Sequence, residues 1–394
     1  MDGLYIIYVG AFRLPNKDAA AARVLNNARA MKQLGHAVKF LSWGGKYREE
    51  DLGVDGKYRI DGMEYVITDE LDAEGSLLHR LQAMILRGRR SLELIKRDSR
   101  KPDLIVLYNA DRGWTEKMLE YCEANDIKLA DDITEWYDNN ELHLWDIVPY
   151  YLNMTKTQKK VRNKIVISKY LNHYYKDSNN ILLPPLCDQE DSKWTRTVVD
   201  DRIKPFDGIT LFYAGNPAKK DCIHTVINVV NRLAHEGKNI RFIIVGISRE
   251  RYVENYKSKL DTKQLHENVI FVGRVSQDII PAYYKFADFM VLLREPSRKN
   301  MAGFPTKFAE SVSAGIPVIA NPTSDIGNYI EDYRTGFSVE YPTSNALTSV
   351  LEDKVLKLDR ESIVRMKRNV DSMKSAFDYR TYSQFVCKFL NRLC

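Results

Sequence analysis

The stretch Asn300-Met-Ala302-Gly303-Phe304-Pro305-Thr306-Lys307-Phe308-Ala309-Glu310 runs on as Ser311-Val-Ser-Ala-Gly315-Ile-Pro317-Val-Ile-Ala320. Pro305 suits the first position of a helix and Gly315 a left-handed stop, so a helix over Thr306 to Ala314 is expected. Pro317–Ala320 then reads as a short buried strand. A helix delivered straight into a strand is part of a βαβ unit. Its N-terminus, opening on a turn where Gly303 allows close backbone approach, offers a phosphate free N–H groups and a partial positive charge, to which Lys307 adds a full one. Glu310 projects one turn further on, where a carboxylate can accept from two vicinal ribose hydroxyls. The plainer alternative is a carboxylate on a solvated helix face, against which the apolar flanks Phe308, Val312 and Ile316 speak.

The same rhythm extends outward in both directions. Strand-length runs are Leu4–Val9, Ala37–Leu41, Leu104–Tyr108, Lys128–Asp131, Lys164–Ser168 and Ile181–Leu183, then Ile209–Tyr213, Arg241–Val245, Val269–Phe271, Phe289–Leu292, Pro317–Ala320 and Gly336–Val339. Longer helical patterns lie between them, which predicts two doubly wound α/β domains with parallel sheets. The expected division is an N-terminal domain over 1–187, a linker over 188–208, a C-terminal domain over 209–375 and a last amphipathic segment over 376–394. Parallel sheets place ligands at the carboxyl ends of their strands, so the loops following the strands carry the functional reading.

Gly215-Asn216-Pro-Ala-Lys219-Lys220-Asp221 follows the first strand of the second half, where its lysines can neutralise a diphosphate or simply form a solvated basic turn. Arg274 and Val275 follow the Val269 strand. In the first half, Gly10-Ala-Phe-Arg13 reads as a ligand loop or a plain βα turn; its single glycine excludes the G-x-G-x-x-G dinucleotide pattern. Asp131-Asp132-Ile-Thr-Glu135-Trp136 sets acids beside an aromatic, a combination suited to sugars, or else to a capped helix and a core tryptophan.

The run Gly303 to Ile319 resembles the donor-site signature of glycosyltransferase family 4, a family of GT-B fold. Val269 to Val275, Gly215 to Lys220 and Val166-Ile-Ser168-Lys-Tyr170-Leu resemble its other segments in order. The resemblance implies two Rossmann-like domains facing across a cleft and a last helix that crosses back to the first domain. It also implies a retaining transfer of a sugar from a nucleotide diphosphate to an acceptor hydroxyl, commonly without a metal, so no cofactor is expected beyond the donor substrate. On this reading Gly10, Gly215, Asn216, Lys220, Arg274, Val275, Gly303, Phe304, Pro305, Thr306, Lys307 and Glu310 hold the donor, and Arg13 and Trp136 the acceptor. Asp132, Glu135 and Lys220 serve the reacting centre. Two departures stand out: Ala302 occupies the place of the signature's first glutamate, and Asn216 that of a common arginine.

Composition bounds the rest. The 394 residues suit two or three domains, and 59 Lys+Arg against 53 Asp+Glu leaves a net charge of +6, compatible with anionic ligands but not with a dedicated nucleic-acid binder. Five scattered cysteines without a C-x-x-C pair give no disulfide framework and no zinc site, so a reducing, cytoplasmic setting is expected. No signal peptide or spanning segment is read. Leu77 to Lys101 carries eight basic residues against two acids on an amphipathic pattern, which reads either as a crossover helix or as a peripheral contact with an anionic membrane at its inner face. The expected partners are a nucleotide sugar and a sugar or lipid-linked oligosaccharide acceptor. The rival readings are an inverting GT-B transferase, which would use a base near Glu135, and a non-catalytic nucleotide-sugar-binding subunit, suggested by Ala302.

Overall fold

The computed structural model describes residues 3–15, 17–70, 87–217, 221–262 and 264–393. They form two compact units, one of residues 1–186 and 379–394 and the other of Cys187–Asp378. The segment 188–208, expected as a linker, lies in the second unit, where Trp194 Nε1 donates to the Asp188 carbonyl at 2.7 Å.

In the first unit, strands β1 (Tyr5–Leu14), β2 (Ala37–Gly45), β3 (Arg59–Ile60), β4 (Met63–Ile67), β5 (Leu104–Tyr108), β6 (Lys128–Ile133), β7 (Asn163–Val166) and β8 (Asn179–Leu182) form one sheet of order β3-β4-β2-β1-β5-β6-β7-β8. All its pairs are parallel except β3 with β4. Both faces are covered, which is why the strands read as unbroken apolar runs. Ile6 and Tyr8 face a core shared with the Ala19–Gln33 helix and with Val386, Phe389 and Leu390 of the Ser383–Leu390 helix. Ile7 and Val9 face a second core with Trp114 and Met118 of the Arg112–Ala124 helix.

Three local readings change. The first strand continues through Gly10 to Leu14 with a register shift between Gly10 and Arg13, so Gly10 lies within a buried strand and not in a loop. The hairpin β3–β4 went unread although Asp61-Gly62 is a strong turn signal; both residues have positive φ, 51° and 73°. Within the basic segment, residues 77–86 lie outside the described residues. The remainder packs as a crossover helix, Arg89–Arg97, with Ile95 in the core and Arg87 and Arg89 on Asp111 and Glu93.

The second unit has strands β9 (Ile209–Ala214), β10 (Ile240–Val245), β11 (Val269–Gly273), β12 (Phe289–Leu292), β13 (Val318–Ala320) and β14 (Gly336–Ser338) in the order β11-β10-β9-β12-β13-β14, all parallel. The winding reverses between β9 and β12, as it does between β1 and β5 in the first unit. In open parallel sheets such reversals open a crevice at the carboxyl ends of the strands. Among the described residues no helix is long and apolar enough to cross a membrane.

Candidate functional site

At the reversal of the second sheet, glycine backbones let the loops lie flush. Gly215, after β9, has φ 128° and donates to the Val245 carbonyl at 2.8 Å. Gly246, after β10, has φ 120° and donates to the Gly273 carbonyl at 2.7 Å. A Cβ on Gly246 would lie 2.5 Å from the Gly215 carbonyl oxygen, and one on Gly215 would lie 2.6 Å from Cε of Lys307. The Lys307 side chain thus rests directly on the Gly215 turn.

What holds Lys307 there is a buried carboxylate. Asp221 ends the Gly215 loop; its Oδ1 accepts from Arg294 Nε at 2.9 Å and its Oδ2 from the Tyr213 hydroxyl at 2.6 Å. Lys307 Nζ stands 3.5 Å from Oδ2 and 5.3 Å from the centre of the Tyr213 ring. Arg294, just past β12, is itself fixed by Asn321, which accepts from its amide at 2.8 Å and donates to its carbonyl at 2.7 Å. Two cations therefore share one carboxylate. Burial and Asp221 push the Tyr213 hydroxyl far above its ordinary range, so it stays a donor. Asp221, Arg294 and Tyr213 received no role from the sequence; the readable signal was that the segments following β9 and β12 carry charged residues.

Lys307 belongs to the helix Thr306–Ser313, which starts after Pro305 with no side-chain cap. The amides of Thr306 and Lys307 are the first two of that helix, without intrahelical partners. Gly303 has φ −81° and extended backbone, so it makes no left-handed turn; its carbonyl accepts from the Ser324 hydroxyl. The ring of Phe304, a donor candidate, is buried against Phe308, Tyr329 and Phe377. Glu310, one turn beyond Lys307, is half-buried, and the Tyr284 hydroxyl reaches its Oε2 at 3.5 Å. Burial raises its carboxyl above the ordinary range, while Lys307, Lys193 and Tyr284 pull it back. Ala302 is fully buried.

The remaining donor candidates lie around this core. Asn216 is exposed and Pro217 buried, with its carbonyl accepting from Tyr256 at 2.9 Å. Arg274 is exposed and Val275 half-buried just beyond β11. Lys219 and Lys220 lie outside the described residues.

In the first unit, β6 runs on to Ile133 and takes both aspartates into the sheet. Asp132, expected to serve the reacting centre, lies buried inside the sheet. It is 0% exposed and accepts from Arg23 at 2.7 and 2.9 Å, from Tyr8 at 2.5 Å and from Asn27 at 3.2 Å. All these partners bind the Ala19–Gln33 helix and β1 to β6. Asp131 is equally buried, opposite Lys164 on β7. Burial raises the aspartate above the ordinary carboxylate range and lowers the lysine below its own. Trp136, expected to offer a face to a sugar, is buried edge-on against Tyr174 at 4.5 Å and Tyr170 at 6.3 Å. Arg13 is partly exposed and paired with Asp18 at 3.2 Å. Glu135 is half-buried at the carboxyl end of β6, and interaction with it and burial together hold the Tyr137 hydroxyl far above its ordinary range. Among the described residues no three His, Cys, Asp or Glu side chains converge as a metal site.

Comparison with known proteins bears on both units. Residues 200–372 match the family model described as glycosyl transferases group 1. The chain is 28% identical over 152 residues to a lipopolysaccharide 1,2-N-acetylglucosaminetransferase of Salmonella typhimurium, covering 37% of this chain and 38% of that one. It is 23% identical over 130 residues to an alpha-monoglucosyldiacylglycerol synthase of Streptococcus pneumoniae, covering 33% and 28%. The matches thus span roughly a third of each of these relatives. Among solved structures, the Anabaena protein HepE, crystallised with UDP and glucose, aligns over 99% of this chain and 100% of its own at a TM-score of 0.69 and 14% identity. The chain therefore has the two-unit α/β fold of the GT-B glycosyltransferases, and its second unit carries the sequence pattern of glycosyl transferases group 1.

Proposed function

We propose that the chain is a glycosyltransferase that moves a sugar from a nucleoside diphosphate sugar to an acceptor hydroxyl in polysaccharide or glycoconjugate assembly. The observation that carries this reading is the placement of Lys307: an ammonium held by Asp221 against the Gly215 turn, at the sheet reversal, beside the open amides of the Thr306 helix. Such an arrangement fits a diphosphate, and fixed charge there stabilises the leaving group as its charge grows. In this account the Thr306 and Lys307 amides, Lys307 and Lys220 hold the diphosphate, Glu310 takes the ribose, and Arg274 and Val275 border the base. The chain's own cations supply the charge, so turnover is expected to persist in a metal chelator. The UDP bound by HepE favours uridine as the base, and the likeness to a lipopolysaccharide enzyme and a glycolipid synthase favours a glycolipid or lipopolysaccharide as the acceptor class.

Retention of anomeric configuration belongs to the proposal. The half-buried Glu135 is the acid left at the β6 strand end once Asp132 is committed to Arg23, and an inverted product would make it a base instead. The fully buried Ala302 motivates the second reading, a binding subunit without turnover. The experiment is a thermal-shift screen of uridine, guanosine, adenosine and cytidine diphosphates and their sugars, followed by slow donor hydrolysis with the best of them. Stabilisation with hydrolysis supports the enzyme, stabilisation without hydrolysis the binding subunit, and no stabilisation by any nucleotide removes both.

A further inference from the structure

The helix Leu144–Leu152 turns its apolar side chains outward. Leu144 is 84% exposed, Trp145 and Val148 64% each, and Tyr151 55%, whereas Asp146, Ile147 and Tyr150 are half-buried on the inner side. Residues 144, 148 and 151 fall on one face at helical spacing, with Trp145 beside them. The backbone remains helical through a π turn, Asn153–Thr157, and the short turn Gln158–Lys160. Along that continuation Lys156 and Lys159 are exposed.

We propose that this helix is a membrane-interface element. Leu144, Trp145, Val148 and Tyr151 enter the headgroup layer of an anionic phospholipid bilayer, while Lys156 and Lys159 meet the phosphates. The inference is independent of the donor site. Tryptophan and tyrosine pair an apolar body with a polar tip, which suits the boundary between acyl chains and water. Cations following an apolar stripe complement an anionic leaflet. The four outward side chains expose on the order of 500 Å², short of the about 800 Å² per partner that a stable protein pair buries. An interfacial helix needs only such a stripe together with its cations.

The test is co-sedimentation of the full chain with vesicles of equal parts phosphatidylcholine and phosphatidylglycerol, and with phosphatidylcholine alone. The chain is expected on the anionic vesicles, released by salt. Trp145→Glu with Val148→Glu should lower the bound fraction about tenfold or more, and Lys156→Glu with Lys159→Glu should remove the preference for anionic lipid. All four positions are exposed, so both variants are expected to melt as the parent does. Absence of binding by the parent chain, or equal binding by the apolar-face variant, overturns the proposal. So does a parent dimer in sedimentation equilibrium that Trp145→Glu converts to monomer, which would make the face a contact between copies.

Discussion

Replacing Lys307 by alanine separates a ligand-binding cation from a merely structural one. An ammonium about 4 Å from a diphosphate oxygen is worth at most ~4 kcal/mol at the effective dielectric of a protein surface. Lys307 is 17% exposed and already shares Asp221 at 3.5 Å, which reduces that figure. A charge-assisted hydrogen bond of about 1.5–3 kcal/mol is the better measure, equivalent to a roughly 10- to 150-fold weaker Kd. Stability should fall by only about 1 kcal/mol, because Asp221 keeps Arg294 at 2.9 Å and Tyr213 at 2.6 Å. The assay is calorimetric titration of parent and Lys307→Ala with the nucleoside diphosphate that stabilises the parent most, repeated with its monophosphate, for which the loss should be smaller. An unchanged diphosphate Kd accompanied by a lowered Tm would refute the reasoning, since Lys307 would then serve only as a partner for Asp221.

Other expectations follow from the same geometry. Gly215→Ala places a Cβ 2.6 Å from Lys307 Cε at φ 128°, so it should cost about 1–3 kcal/mol in denaturant melts and weaken diphosphate binding with it. Arg23→Ala leaves the fully buried Asp132 without its guanidinium and should cost roughly 3–5 kcal/mol of stability; a stable variant that loses only turnover would instead place Asp132 at the reacting centre. Glu310→Gln should weaken nucleoside binding about tenfold while leaving binding of free pyrophosphate unchanged. Because burial raises the Glu310 carboxyl, its contribution to folding is complete below the unfolded carboxyl value and is lost as pH rises through the folded one. Melting curves of the unliganded variant against pH should therefore be flatter over the acid range than those of the parent.

Much of the architecture was legible because buried parallel strands must be apolar on both faces, and runs such as Leu104–Tyr108 and Phe289–Leu292 stand out for that reason. The Thr306 helix was readable from Pro305 and Gly315 at its ends. Burial of charge was not legible. Asp132 looks like a loop acid until Arg23, 109 positions earlier, is brought to it across the sheet. Asp221 looks like the end of a basic turn until Arg294, 73 positions later, meets it at the sheet reversal. Both pairings depend on strand order, which no local pattern states. The packing of Phe304 and Trp136 was not legible for a related reason: an aromatic near a strand end is as well suited to a core cluster as to a sugar, and tertiary packing places both rings in core clusters.

The most direct measurement is a crystal structure of the full chain soaked with the nucleoside diphosphate that stabilises it most. The account predicts the terminal phosphate within hydrogen-bond distance of Lys307 Nζ and the Thr306 and Lys307 amides, with the ribose hydroxyls on Glu310. A nucleotide bound elsewhere, or Lys307 unmoved on Asp221 with no phosphate beside Gly215, would contradict it.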